Sequence, residues 1–106
     1  MNILMTKDLL DLYLEGTCKK YREIGKNREL LSGFIRAVNT MREVNNVPEL
    51  KHFSYLHYEQ LKHQWTGYSS VRLSNRYVHR LIFIEREDGF EVKLIEIDQT
   101  HYGNKK

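Results

Sequence analysis

The stretch that decides the fold is "VHRLIFIEREDGFEVKLIEI", residues 78–97. Its two apolar runs, 78–85 and 90–97, are rich in Val, Ile and Phe, residue types that are enriched in β-strands. Between them, Asp88-Gly89 is a dipeptide typical of a tight turn. The sequence therefore predicts two antiparallel strands joined as a hairpin.

A third strand is predicted just before this hairpin. The segment "YSSVRLS", residues 68–74, alternates in character. In an extended chain Tyr68, Ser70 and Arg72 point to one face and the residues between them point to the other. A β-meander of three strands is expected, with Arg72 on the face that the rest of the chain leaves open.

Two helices are predicted ahead of the strands. The first is expected to begin after Thr6, a suitable N-cap, and to end at Gly25. The second is expected to begin after Asn27 and to stop near "NNVP", residues 45–48. Apolar residues recur at a spacing close to that of a helix: Leu9, Leu10, Tyr13, Tyr21 and Ile24, then Leu30, Leu31, Phe34, Ile35, Val38 and Met41. Two helices joined by a short turn are expected to pack antiparallel.

These elements predict an α+β fold in which an N-terminal two-helix hairpin packs on one face of a small twisted antiparallel β-sheet. The opposite face should be more polar and exposed, and chemistry could take place there. The chain has 106 residues and contains neither repeats nor a linker, so residues 1–106 are expected to form a single domain.

Cysteine content and hydropathy predict the cellular compartment. Cys18 is the only cysteine, so no intrachain disulfide is possible and a reducing cytoplasm is expected. The sequence has no signal peptide, and no run approaches the roughly 18 apolar residues of a membrane span. We therefore expect a cytoplasmic protein without a membrane partner.

Positive charge is concentrated between residues 51 and 80. This stretch holds one acid, Glu59, and five bases: Lys51, Lys62, Arg72, Arg76 and Arg80. Such a local field would attract a polyanion such as RNA. A solvated surface of mixed charge is the alternative interpretation.

The residues favour acid–base chemistry over other enzyme chemistries. The sequence has no glycine-rich phosphate loop, no G-x-S-x-G nucleophile turn and no H-E-x-x-H metal pair. His52, His57 and His63 lack the spacing and the cysteines of a metal site, so neither a metal nor a cofactor is expected. Cleavage of RNA needs a general base, a general acid and cations that stabilise the charge on the phosphate. Candidate residues for these roles are Glu59, Arg72, Arg80, His101 and Tyr102.

Four motifs occur in a characteristic order: "EQLKH" (59–63), "TGYSSVRLS" (66–74), "HRLIF" (79–83) and "HYG" (101–103). Together they resemble the RelE/ParE superfamily of bacterial toxins, and they are most similar to its YoeB and Txe members. The front half of the chain, with its two helices and "NNVPEL", is similar to the HigB branch. The resemblance implies a RelE-like fold.

The resemblance also implies an activity. RelE, YoeB and HigB toxins are endoribonucleases of type II toxin–antitoxin systems; they need no metal and generally cut mRNA in the ribosomal A site. By position in the motifs, Glu59 matches the general base and Arg80 the arginine that stabilises the phosphate. His101 matches the general acid and Tyr102 the tyrosine that positions the substrate. RNA-binding residues are expected at Lys62, His63, Tyr68, Arg72 and Arg76. If the HigB branch is the better guide, the acid–base roles shift toward Asp98 or His63.

The expected partners follow from the same resemblance. They are the ribosome with its mRNA, and a cognate antitoxin with a helix-turn-helix DNA-binding domain, through which alone the toxin would reach operator DNA. Two other functions stay open: a ParE-like toxin that binds DNA gyrase without cutting RNA, and an RNA-binding protein without catalysis. Because ParE-type members generally lack the acid–base set, Glu59 together with His101 and Tyr102 favours the nuclease.

Overall fold

A computed structural model describes residues 1–99 of the chain. It contains three α-helices, five β-strands and short 3-10 turns, and its α+β class is the one predicted. The helices are α1 (Lys7–Glu15), α2 (Arg22–Lys26) and α3 (Arg28–Glu43). The strands are β1 (Asn2–Met5), β2 (Glu59–Gln60), β3 (Ser69–Arg72), β4 (Arg80–Arg86) and β5 (Glu91–Asp98).

The strands form one sheet in the order β1-β5-β4-β3-β2. The predicted antiparallel meander is present as β3, β4 and β5. The sheet is nevertheless mixed, because β1 pairs parallel to β5. The strand β1 was not predicted, since a strand of four residues is too short to establish a period of its own.

The helical layer differs from the prediction at one boundary. Thr6 and Asn27 are the N-caps of α1 and α3, as expected, and each side chain accepts a hydrogen bond from a backbone N–H three residues later. The first helix, however, ends at Gly16 rather than at Gly25. Gly16 adopts the left-handed conformation, with φ of 80°, and its N–H donates to the carbonyl of Leu12, which closes the helix.

Helices α1 and α3 form the expected antiparallel pair. The Tyr13 side chain donates to Asn39 near the end of α3, whereas Gly16 at the end of α1 lies next to Leu31 near its start. The helix α2 is an additional short turn between them. One face of the sheet packs against these helices, and the buried core includes Leu9, Leu12, Phe34, Ala37, Val38, Met41, Val71, Leu81, Phe83, Val92 and Leu94.

Helix α3 crosses very close to the end of β3. A Cβ atom placed on Gly33 would lie 1.9 Å from the carbonyl oxygen of Leu73, the residue that follows β3. The absence of a side chain at Gly33 therefore allows the helix and the strand backbone to touch. This contact fixes the position of the strand that carries Arg72.

A tyrosine hydroxyl accepts a hydrogen bond from β5 beyond the point where β1 ends. The β4–β5 register shifts at Ile82/Phe83, and β1 pairs with β5 only as far as Leu94. Beyond that point, the Ile97 N–H donates to the hydroxyl of Tyr21 at 3.1 Å. Burial raises the pKa of Tyr21, whose side chain is only 4% exposed.

Tyr21→Phe is expected to lower the free energy of unfolding by about 1–3 kcal/mol, because the buried Ile97 N–H would lose its acceptor. Guanidinium denaturation of both proteins measures the difference. Tyr13→Phe is the matched control, since it removes a hydrogen-bonded hydroxyl from a solvent-accessible position and should cost less. Equal stability of Tyr21→Phe and the unsubstituted chain would contradict the role of this bond.

Candidate active site

A buried arginine stands at the start of β4. Arg80 is only 4% exposed, and within residues 1–99 its guanidinium group contacts Ser70, His57 and Glu59. The Nε atom donates to Ser70 Oγ at 2.7 Å, and Nη2 donates to the backbone carbonyl of His57. Nη2 also lies 3.8 Å from Glu59 Oε1. A buried cation is tolerated only when it is paired in this way, so the position and direction of the guanidinium group are fixed.

The site lies on the face of the sheet opposite the helices. In register, Arg72 pairs with Arg80 and Arg80 with Asp98, which places two arginines and an acid in one row across three strands. A neighbouring pair joins Glu59 to Ser70 across β2 and β3. The sheet therefore brings together residues that lie up to 39 positions apart in the sequence.

This face is polar, as predicted, but it is not fully exposed. Ser70, Arg80, Ile82 and Asp98 are all buried. Arg72 is half-buried, and Glu59 is exposed, because it lies on the edge strand and its side chain is 53% exposed. The carboxylate of Glu59 is therefore accessible to a ligand. The Arg80 guanidinium that it faces is buried and is held by Ser70 and the His57 carbonyl.

Arg72 carries an unsatisfied donor in this part of the sheet. Within residues 1–99, its Nε atom is buried and has no hydrogen-bond partner. A buried donor without a partner is costly, and an anion bound between the two strands would supply the acceptor. The direct pairing of Arg72 with Arg80 also concentrates positive charge at this point. The arrangement suits a phosphate group.

Other predicted RNA-binding residues lie outside this row. Arg76 follows β3 and pairs through Nη1 with Glu29 Oε1 on α3 at 3.2 Å. Lys62 and His63 are exposed in the turn between β2 and β3. Tyr68, which precedes β3, packs its ring edge-on against another aromatic side chain, Trp65, at 5.3 Å between centroids. The predicted His101 and Tyr102 lie outside the described residues.

His79 is adjacent to Arg80 in the sequence but is not part of the row. Its half-buried ring lines a cavity with Tyr77 and Leu30 on the helical side. Burial lowers the pKa of His79, an effect that Gln99 and Asp98 partly oppose. We therefore expect His79 to be neutral at physiological pH.

Two contributors to the site were not singled out from the sequence. Ser70 was predicted to lie on the same strand face as Arg72. A small hydroxyl group next to an arginine on that face was the signal that could have indicated its role. His57 contributes its backbone carbonyl, and no side-chain pattern reveals such a role. Across residues 1–99, no three His, Cys, Asp or Glu side chains come together in a way that could hold a metal ion.

Comparison with known proteins identifies the fold. No protein-family model matches the sequence, and no similar sequence was found among curated proteins. Among solved structures, a YoeB/ParE toxin from Agrobacterium tumefaciens is similar, with a TM-score of 0.54 and 16% identity. The likeness covers 93% of this chain and 98% of that one. The chain therefore has the fold of this toxin structure, in agreement with the RelE-like fold that its motifs implied. No helix within residues 1–99 is long and apolar enough to span a membrane.

Proposed function

We propose that this chain is the toxin of a type II toxin–antitoxin system and a metal-independent endoribonuclease that cuts mRNA on the ribosome. The fold shared with a YoeB/ParE toxin supports the toxin assignment. The observation that carries the nuclease assignment is the buried Arg80 guanidinium, held by Ser70 and His57 next to the accessible Glu59 carboxylate. A fixed cation beside an accessible base suits the cleavage of a phosphodiester.

In the proposed reaction, Glu59 takes the proton from a ribose 2′-OH, and the oxygen attacks the adjacent phosphorus. As the new P–O2′ bond forms, the P–O5′ bond breaks, and His101 donates a proton to the leaving 5′-oxygen. Arg80 and Arg72 stabilise the negative charge that develops on the phosphate oxygens. Tyr102 helps to position the substrate. The products are a 2′,3′-cyclic phosphate and a 5′-hydroxyl.

Regulation and binding follow from the charge of the site. The row that contains Arg72 and Arg80 is expected to be covered by an acidic segment of an antitoxin. The same antitoxin would also carry the DNA-binding domain. Lys62, His63, Tyr68 and Arg76 are proposed to contact RNA outside the reacting centre. The working compartment would be the cytoplasm, where ribosomes and mRNA are found.

The proposal is tested by inducing the chain in bacteria and mapping new mRNA 5′ ends. We expect cuts at a fixed position within codons, and Glu59→Gln should reduce cleavage about 100-fold because a carboxamide cannot accept the proton. Glu87→Gln, which changes an exposed glutamate in the β4–β5 turn, is the matched control and should cut normally.

Other outcomes would favour the alternatives. Growth arrest without new cuts, unchanged in Glu59→Gln and in His101→Gln, would indicate a toxin that acts by binding, such as a gyrase poison. Binding of RNA with neither cuts nor growth arrest would indicate an RNA-binding protein. Either result would overturn the nuclease assignment.

A further inference from the structure

The strand that carries Glu59, β2, is held in the sheet by few backbone pairs. It is two residues long and, among residues 1–99, it lies at the edge of the sheet and pairs only with β3. Glu59 itself is half exposed. A general base nevertheless has to be held within hydrogen-bonding reach of the proton that it removes. Contacts other than strand pairing must therefore fix this segment.

The preceding residue, Tyr58, provides such contacts on the other side of the sheet. Its hydroxyl donates to Glu85 Oε2 on β4 at 2.7 Å, and its ring lies 6.3 Å from that of Phe83, measured between centroids. The same Glu85 oxygen accepts a second hydrogen bond, from Ser69 Oγ on β3 at 3.0 Å. One carboxylate oxygen thus joins the Tyr58 side chain to two neighbouring strands.

The residue before Tyr58 is held from the opposite side. His57 has a left-handed backbone, with φ of 47°, and its carbonyl accepts from Arg80 Nη2. Its imidazole Nε2 is 3.0 Å from Asn75 Oδ1 in the loop between β3 and β4. Three consecutive residues, 57 to 59, are therefore tied to β4: two through Arg80 on one face and Tyr58 through Glu85 on the other.

We propose that Tyr58 and Glu85 form a positioning pair that holds Glu59 at the correct distance from Arg80 for catalysis. This inference rests on the proposed nuclease function. Neither residue touches the reacting atoms, because the pair lies on the helical side of the sheet. Its effect passes through the backbone of Tyr58 to the next residue. A displacement of a reacting group by about 1 Å can cost about 100-fold in rate.

The hydrogen bond keeps its direction over the working pH range. Burial, together with the Glu85 hydrogen bond, raises the pKa of Tyr58 to about 12. The phenol therefore remains protonated near neutral pH, with its hydroxyl as the donor and the carboxylate as the acceptor.

The test is steady-state cleavage of ribosome-bound mRNA by purified Tyr58→Phe. We expect kcat to fall about tenfold while KM stays within about twofold, because the substrate-binding cations are unchanged and only the base is displaced. Tyr13→Phe removes a hydrogen-bonded hydroxyl on the helical layer and is the control for a general loss of stability. It should leave kcat unchanged.

Substitution of the acceptor provides a second test. Glu85→Gln retains an oxygen that can accept from Tyr58 and should keep most of the activity, whereas Glu85→Ala should lose as much as Tyr58→Phe. The double variant Tyr58→Phe/Glu59→Gln should be no slower than Glu59→Gln alone, because the pair would act only through Glu59.

The outcomes separate the two proposals. If Glu59→Gln slows cleavage about 100-fold and Tyr58→Phe has full activity, the positioning role is wrong and the nuclease assignment stands. If the two losses multiply in the double variant, the pair acts independently of Glu59 and the inference also fails. If Glu59→Gln cleaves at the normal rate, the role of Glu59 itself is wrong.

Discussion

Replacement of Arg80 by lysine is expected to slow RNA cleavage about 1,000-fold, which is the upper end of the cost of removing one preorganised charge-stabilising group. The guanidinium group contacts Ser70, the His57 carbonyl and Glu59 at the same time. A single ammonium group cannot reproduce these contacts, because it lacks the planar fork of donors. The lysine would keep the charge but lose the orientation toward the phosphate.

The same strand offers a matched control for this substitution. Arg86 is the last residue of β4, as Arg80 is the first, and it pairs with Glu91 on the neighbouring strand at 2.8 Å, where it is half exposed. Arg86→Lys should cleave at the normal rate. Both variants should be checked for folding by thermal denaturation. If Arg80→Lys is folded and keeps more than a tenth of the activity, the proposed role of Arg80 in catalysis is wrong.

Gly33→Ala is expected to lower the free energy of unfolding by about 3 kcal/mol, the cost of severe overpacking. The new methyl group would lie 1.9 Å from the carbonyl oxygen of Leu73, and a backbone atom cannot move aside as the end of a side chain can. Helix propensity alone predicts the opposite sign, because alanine is favoured over glycine inside a helix by about 1 kcal/mol. The sign of the change therefore tests the packing directly.

Chemical denaturation measures this change, and Ser32→Ala is the control. Ser32 is the exposed neighbour of Gly33 on α3, so its substitution should alter stability by less than about 0.5 kcal/mol. A Gly33→Ala protein as stable as the unsubstituted chain would show that α3 and β3 are not in close contact. Loss of RNA cleavage in a folded Gly33→Ala protein would indicate displacement of Arg72.

Elements with a strong local signal were predicted correctly from the sequence. The hairpin around Asp88-Gly89 is present as β4 and β5, and the caps at Thr6 and Asn27 begin the helices that they were expected to begin. These features depend on neighbouring residues and need no tertiary information. In contrast, β1 depends on its partner β5, which lies about 90 residues further along the chain, and it was missed.

The error at the end of the first helix has a physical explanation. The prediction placed the end of the helix at Gly25, although Gly16 is also a residue type that ends helices. Gly16 ends it in the left-handed conformation. Gly25 lies inside α2, where a Cβ atom would be 2.7 Å from the Gly16 carbonyl oxygen. Its missing side chain allows close packing between two segments, which a local pattern does not reveal.

Residues that contribute side chains to the candidate site could be predicted from the sequence. Glu59, Arg72 and Arg80 came from motifs, and register places Arg72 beside Arg80, while Glu59 and Arg80 form an ion pair. The His57 carbonyl could not be predicted, because its direction depends on the left-handed backbone at that residue. The pairing of Arg76 with Glu29 was also hidden, since 47 residues separate the two.

The order of the strands has a consequence for the time at which this protein acquires activity. The strand β5 lies between β1 and β4, although it is the last of the five to be synthesised. While residues 91–98 are still inside the ribosome, β5 can pair with neither β1 nor β4. Asp98 is then also missing from the row that it forms with Arg72 and Arg80. Because pairing between distant segments is slow, folding should be late and nearly all at once. The proposed cleavage of mRNA should therefore begin only after residues 91–98 have left the ribosome and β5 has paired with both of its neighbours.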